Sequence, residues 1–367
     1  MNLSKNKGSD KAMWFDSHLG RTAIFLRDKD LEAKVMKIIA YGIREDEKPY
    51  VAEWQEQHPD VQVKIVEELL LDSTVDQAEG FDGVVAYQQA PYTDNVLKTL
   101  AGYGIHYLSL RNVGVDNLNP VAVKENDFKI TNVPVYSPAA IAEFSVTQLM
   151  NLLRRTKEYF RKFDRRDYRW APEISQELNQ QVVGVIGTGH IGQVAIDIYK
   201  GFGAKVIAYD KFHNPELEKE GLYVDSLDEL FAQATVVTLH IPLFPETENM
   251  LNKEAFDKMN DGVFIVNASR GPLIDEKALI DALDSGKVAG AALDVLVDET
   301  KVFNHNMAGK NMDYPEFWNL ESRGNVLISP HTAFYTNVAV ENMVKQSLDA
   351  NLSLIQTGAS DHEVKFN

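Results

Sequence analysis

The stretch QVVGVIGTGHIGQVAIDIYKGFG at residues 181–203 decides the fold of this chain. Its opening run, QVVGVI, reads as a buried strand, and the glycines at 187, 189 and 192 follow at once. A tight turn, close backbone approach to a pyrophosphate and close helix–strand packing each need a residue without a side chain, and Gly187, Gly189 and Gly192 have the spacing that supplies them. The helix predicted after them offers unpaired N–H groups and a partial positive charge to phosphates, with His190 and Ile191 in its first turn. A second strand, KVIAYD (205–210), ends in Asp210. A carboxylate there can accept hydrogen bonds from an adenosine ribose and would repel a 2′-phosphate, so the ligand reads as NAD rather than NADP. The plainer reading, Asp210 as a turn-forming acid, stays open, and Lys211 beside it weakens the preference. More than a hundred residues precede the motif, so the cofactor domain lies inside or after another domain.

Outward from the motif, strand and helix patterns alternate. Before it come KIIAY (37–41), VQVKIV (61–66), DGVVAY (82–87), IHYLSL (105–110) and FKITNV (128–133). Helix-compatible segments at 44–57 and 93–103 lie between them. After it come TVVTLHIP (235–242), GVFIVNASR (262–270), VAGAALDV (288–295) and NVLISPHTAF (325–334). Such alternation predicts parallel sheets with helices on both faces. Ser137 and Pro138 read as the N-cap and first residue of a helix running to about Phe160. The last helical pattern, 336–356, has nothing to pair with in the second series and is expected to fold back on the first. The prediction is an α/β protein of two doubly wound parallel-sheet domains. A Rossmann-type NAD-binding domain (136–334) is inserted into a discontinuous, flavodoxin-like substrate domain (36–135 and 335–367). Residues 1–35 read as an N-terminal extension without an assigned role.

Composition narrows the function. At 367 residues with 44% hydrophobic and 25% charged residues, the chain is ordinary for a globular protein of two domains. No apolar run reaches 18 residues and no secretory signal opens the chain, so a cytoplasmic protein without a membrane anchor is expected. The absence of cysteine rules out disulfides and thiolate catalysis. A net charge of −17 argues against nucleic acid as a partner and repels anionic substrates at long range. Any anion site must be a local arrangement of Arg, backbone N–H groups or helix ends. No metal is expected, because the histidines lack ligand spacing. No nucleophile elbow of a hydrolase is present either.

Three polar residues follow strand ends of the second series: Arg270, Glu299 and His331. Open α/β sheets bind ligands at the carboxyl ends of their strands, so these three can converge on one crevice. They suit hydride transfer to a 2-keto acid. The planar fork of an Arg holds carboxylate and carbonyl oxygens. A His exchanges a proton with the carbonyl oxygen, and a neighbouring carboxylate favours and orients the imidazolium. Each residue alone has a plainer reading, as a surface ion pair or a packing histidine.

The strings RNVGVDN (111–117), VPVYSPAAIAE (133–143), VVGVIGTGHIGQV (182–194), VNASRGPLID (266–275) and SPHTAFYT (329–336) resemble the D-isomer-specific 2-hydroxyacid dehydrogenase family, most of all its D-lactate branch. The resemblance runs from about Met36 to the C-terminus. It implies Arg270, Glu299 and His331 as the catalytic set. It also implies backbone N–H groups of Val113 and Gly114 for the substrate carboxylate, and Tyr87, Tyr136 and Phe334 at the substrate. His240 and Pro242 would lie near the dinucleotide, His190 and Ile191 at the pyrophosphate, and Asp294 near the nicotinamide carboxamide. One departure stands out. Relatives of the D-lactate branch usually read DVYEGE where this chain reads DVLVDE (294–299), so the loop around Glu299 is expected to pack differently.

The resemblance further implies reversible reduction of pyruvate to D-lactate and a homodimer formed through the helix near 137–160. Tyr87 and Phe334 favour pyruvate. Larger acids of the D-2-hydroxyisocaproate or phenyllactate type are the alternative, because one pocket residue shifts discrimination by only ~1–3 kcal/mol. A non-catalytic NAD-responsive binding protein would be marked by loss of the Arg–Glu–His set, and all three residues are present.

Overall fold

Short runs rich in β-branched residues, each closed by a turn, assemble into two parallel sheets. The computed structural model describes residues 35–310 and 312–366, so the reading of residues 1–34 as an extension lies outside the described residues. The first sheet comprises β1 (Met36–Tyr41), β2 (Val61–Val66), β3 (Gly83–Ala86), β4 (Tyr107–Leu110) and β5 (Lys129–Thr131), ordered β2-β1-β3-β4-β5. The second comprises β6 (Val182–Ile186), β7 (Lys205–Tyr209), β8 (Val236–Leu239), β9 (Val263–Asn267), β10 (Val288–Leu293) and β11 (Val326–Ile328), ordered β11-β10-β9-β8-β6-β7. Every strand pair is parallel.

Parallel strands need a connection that returns over a face of the sheet, so both faces become buried. The helices that do this are α1 (Lys48–Gln57), α2 (Asp94–Gly102), α3 (Pro120–Glu125), α4 (Pro138–Leu153), α5 (Thr156–Asp164) and α6 (His190–Gly201). The rest are α7 (Pro215–Lys219), α8 (Leu227–Gln233), α9 (Lys253–Lys258), α10 (Glu276–Asp284), α11 (Pro315–Ser322) and α12 (Asn337–Thr357). In the first sheet Ile39, Val84 and Leu108 pack toward α2 and α3, while Ile38 and Val85 pack toward Trp54 of α1 and Val344 and Leu348 of α12. In the second, β9 is buried along its whole length. Ile265 faces Leu279 and Leu283 of α10, and Phe264 and Val266 face α4 and α6.

The last helix does return to the first sheet. Asn351 of α12 lies over β3, where its amide donates to the Val84 carbonyl at 3.0 Å and the Ser109 hydroxyl at 3.0 Å. A Cβ on Gly83 would stand 2.2 Å from the Asn351 Oδ1, so only glycine admits the helix this closely.

The helix expected over 137–160 is instead two. Ser137 caps α4 by accepting from the Ala140 N–H at 3.3 Å, and Pro138 begins it as anticipated. The chain then breaks at Arg154–Arg155, where Arg155 adopts φ +54° and its guanidinium reaches forward to Glu158 of α5 at 2.8 Å. Apolar periodicity runs through this junction, so the pattern alone does not mark it.

A fully buried ion pair supports the carboxyl edge of the first sheet. Arg111, directly after β4, donates to the Glu47 carboxylate at 3.1 Å and to the carbonyls of Tyr41 and Gly42 at 2.8 and 2.7 Å, with both side chains wholly inaccessible. The guanidinium thus ties the end of β1 to the end of β4. Removing one partner leaves an uncompensated buried charge. Glu47→Ala is expected to lower unfolding stability by about 3–5 kcal/mol, read as a fall in the urea midpoint.

Candidate functional site

The glycine turn stands where strand order reverses, since β7 and β8 flank β6 on opposite sides. That switch point is where open α/β sheets bind ligands. Each glycine answers a distinct demand. Gly187 has φ +96°, and a Cβ there would lie 2.4 Å from the His240 carbonyl oxygen. A Cβ on Gly192 would lie 2.0 Å from the Gly187 carbonyl oxygen. Gly189, the N-cap of α6, faces open space, with nothing within 4 Å of the Cβ position and no side-chain cap on the helix. The first two glycines therefore serve the fold, and the third leaves room for a phosphate beside free helix N–H groups.

Asp210, just beyond β7, accepts from the Thr188 N–H at 2.6 Å and the Phe212 N–H at 3.0 Å, which fixes its carboxylate against the glycine turn. Lys211 is drawn away by Glu246 at 3.6 Å. His240 adjoins Gly187. Its Nε2 meets the Thr238 hydroxyl at 3.0 Å, its Nδ1 is buried without a partner, and burial pushes the imidazole down to about 4. It is neutral near pH 7. His190 and Pro242 are exposed at the same rim, with Ile191 half-buried. These features fit a dinucleotide: open backbone at Gly189, a fixed carboxylate at Asp210 after β7 and an orphaned polar nitrogen at the turn.

Of the three residues after strand ends of the second sheet, Glu299 and His331 pair directly, and Arg270 reaches the first domain. His331 Nδ1 lies 2.6 Å from the Glu299 carboxylate, which assigns Nδ1 as the donor. His331 has φ +53°, an uncommon backbone state for a residue with a Cβ. Asp294 enforces it. Its carbonyl accepts the His331 N–H at 2.8 Å, and its carboxylate accepts the Ser329 hydroxyl and the Thr332 and Ala333 N–H groups at 2.6, 2.9 and 2.8 Å. Arg270, past β9, crosses to the first domain and meets Asp116 at 3.3 Å. A Cβ on Gly114 would stand 2.0 Å from the Arg270 guanidinium, so the glycine of RNVGVDN makes that passage possible. Around it, Asn112 and Asn132 bind the carbonyls of Gly114 and Val113, each at 2.6 Å, and neither Val113 nor Gly114 donates its N–H to an acceptor among the described residues.

Aromatic rings close the other side. Phe334 packs 6.0 Å from Tyr87, 6.3 Å from Tyr136 and 6.3 Å from the His331 ring, measured between centroids. Burial pushes both tyrosine phenols up to about 12, so they remain protonated. Sequence reasoning passed over Arg44, whose guanidinium stacks 5.6 Å from Tyr87 and 5.3 Å from Tyr335. It also passed over Asp116, which lies inside a quoted motif and lacked any sign of its partner. At the departure DVLVDE, Leu296 is buried in the second core and Val297 is exposed.

Residues 146–333 match the family model for the NAD binding domain of D-isomer specific 2-hydroxyacid dehydrogenases. The D-lactate dehydrogenase of Lactiplantibacillus plantarum is 58% identical over 332 residues, 90% of this chain and 100% of that protein. The chain belongs to this dehydrogenase family. Among solved structures, a D-2-hydroxyisocaproate dehydrogenase superposes with a TM-score of 0.82 at 41% identity, covering 90% of this chain and 99% of the other. The NAD-complexed D-isomer specific 2-hydroxyacid dehydrogenase of Lactobacillus delbrueckii ssp. bulgaricus gives 0.78 at 38%, covering 90% and 100%. NAD is the cofactor of this dehydrogenase, and its two sheets are the substrate-binding and Rossmann parts of the family architecture.

The glycine geometry separates two kinds of damage. Gly192→Ala is expected to lower Tm, because its Cβ meets backbone. Gly189→Ala should leave Tm unchanged and weaken NADH binding, read by quenching of protein fluorescence.

Proposed function

We propose that this dehydrogenase interconverts pyruvate and D-lactate. The observation that carries the reading is the pairing of His331 with Glu299 opposite an Arg270 that reaches Gly114. An acid–base group and a carboxylate clamp thereby face one cleft. The aromatic wall of Tyr87, Tyr136 and Phe334 is the feature read as favouring a small substrate, and the D-lactate dehydrogenase relative matches 90% of this chain.

The geometry supports the following roles. The dinucleotide, held by Gly189, His190, Ile191 and Asp210 with His240 and Pro242 at the rim, supplies or accepts the hydride when bound. Arg270 and the N–H groups of Val113 and Gly114 hold the substrate carboxylate, with the guanidinium exchanging its contact with Asp116 for the incoming anion. His331 Nε2 gives its proton to the keto oxygen in reduction and recovers it in oxidation. Glu299 steadies the imidazolium that this requires. Asp294, its carboxylate taken up by the histidine turn, acts on the nicotinamide side chiefly by fixing that turn. The substrate domain is 36–135 with 335–367, and the NAD domain is 136–334. A cytoplasmic location follows from dependence on an intracellular dinucleotide.

The protein is also read as a homodimer. Phe160, Phe163, Tyr168, Trp170 and Ile174, on α5 just beyond α4 and on the arm after it, are apolar or aromatic and each at least 59% exposed. Sedimentation velocity is expected to give twice the chain mass, and Trp170→Glu to shift it toward the monomer.

His331→Ala and Arg270→Ala are each expected to lower kcat/KM for pyruvate by roughly 10²–10⁴-fold while NADH still binds. Chiral analysis of the product should give D-lactate. A higher kcat/KM for 2-ketoisocaproate or phenylpyruvate than for pyruvate would instead assign the enzyme to larger keto acids.

A further inference from the structure

The segment after β10 carries Glu299 without belonging to any strand, so its backbone groups need other partners. Three successive N–H groups find them in side chains. Leu296 donates to the Glu299 carboxylate at 3.0 Å, Val297 to the Glu276 carboxylate at 2.9 Å, and Asp298 to the Tyr314 hydroxyl at 3.2 Å. The last two acceptors are joined, because the Tyr314 hydroxyl donates to both oxygens of Glu276 at 2.9 and 3.0 Å. Glu276 opens α10 and is 9% exposed; Tyr314, at the head of α11, is 4% exposed. Below them Gly271 abuts the Leu296 carbonyl, where a Cβ would stand 2.2 Å from the oxygen. The segment is thus held from α10, from α11 and from beneath.

From this geometry we infer that Glu276 and Tyr314 are positioning residues for the reaction, acting through residues 296–298 to set the Glu299 carboxylate against His331. The inference rests on the proposed acid–base role of His331. Neither residue touches the cleft. The bonds run in one sense: Glu276 only accepts, and Tyr314 accepts from Asp298 while donating to Glu276. A carboxylate with a phenol beside it is therefore the pair that satisfies every partner. The charges facing the pair are Asp298 and Glu316, with the Lys301 ammonium 5.8 Å from the Tyr314 ring centre. Leu296 and Val297, the residues that depart from the usual DVYEGE, sit on this support. Leu296 anchors the segment in the core, and Val297 turns its amide to Glu276.

Displacing Glu299 removes the partner of the imidazolium. Pyruvate reduction needs that protonated form, so its alkaline limb must move to lower pH. The experiment compares wild type, Glu276→Ala, Glu276→Gln, Tyr314→Phe and His331→Ala by kcat, KM for pyruvate, pH profile, NADH binding and Tm. Glu276→Ala and Tyr314→Phe are expected to lower kcat roughly 10- to 100-fold, with NADH binding retained and the alkaline limb shifted to lower pH. Glu276→Gln, whose amide oxygen still accepts from Val297, should recover most of the loss. If His331→Ala keeps full activity, the acid–base reading itself falls. If His331 is required but Tyr314→Phe and Glu276→Ala, folded and binding NADH, leave kcat and the pH profile unmoved, the positioning role is overturned. A lower Tm with an unshifted profile overturns it equally, because that is the mark of a purely structural pair.

Discussion

The carboxyl group of Asp294 is the constraint on which the site depends. A histidine with a free Nε2 must project from a turn, and the turn here places His331 in a left-handed conformation that costs energy. Four hydrogen bonds onto Asp294, from residues 329, 331, 332 and 333, hold that turn. Asp294 itself is 3% exposed at the end of a buried strand, so the cost is borne by one of the most rigid parts of the second sheet. The backbone turn of the proposed acid–base histidine is therefore held by a residue that directs hydrogen bonds.

A chain of net charge −17 must still admit an anionic substrate. The arrangement at Arg270 shows how. The guanidinium is not free but rests on Asp116, a partner in the other domain and only partly desolvated. Such a contact is weak by comparison with a buried pair such as Arg111–Glu47. The strong pair builds the carboxyl edge of the first sheet, and the weak one suits the proposed clamp, a cation kept oriented at low cost until a substrate anion replaces Asp116. The two arginines have the same chemistry and opposite purposes, decided by burial.

Much of this was legible in the chain itself. Period and composition placed every strand of both sheets to within a few residues, since parallel strands buried on both faces write continuous apolar runs. The glycine spacing located the dinucleotide turn, and the positions of Arg270, Glu299 and His331 after strand ends pointed to one crevice. What escaped were features made by distant pairs. Asp116 and Arg270 are 154 residues apart, and Tyr314 and Glu276 are 38 apart. Neither member of either pair sits in a pattern that announces the other. The break at Arg154–Arg155 escaped for a different reason: it is a single left-handed residue within uninterrupted helical composition. Asp294 was noticed for its place in a motif, but its hydrogen bonds to the histidine turn are visible only in three dimensions.

The chain passes between its two sheets twice, once through Val135–Ser137 and once through Phe334–Thr336, and each passage carries a ring of the aromatic wall. Tyr136 lies on the first, and Phe334 and Tyr335 lie on the second. Tyr335 in turn stacks on Arg44, just after β1 in the substrate domain. Any rotation of one domain against the other must turn these two segments, and in turning them must move the rings. A rotation about these two segments would thus change the width between the domains and the position of the aromatic wall together.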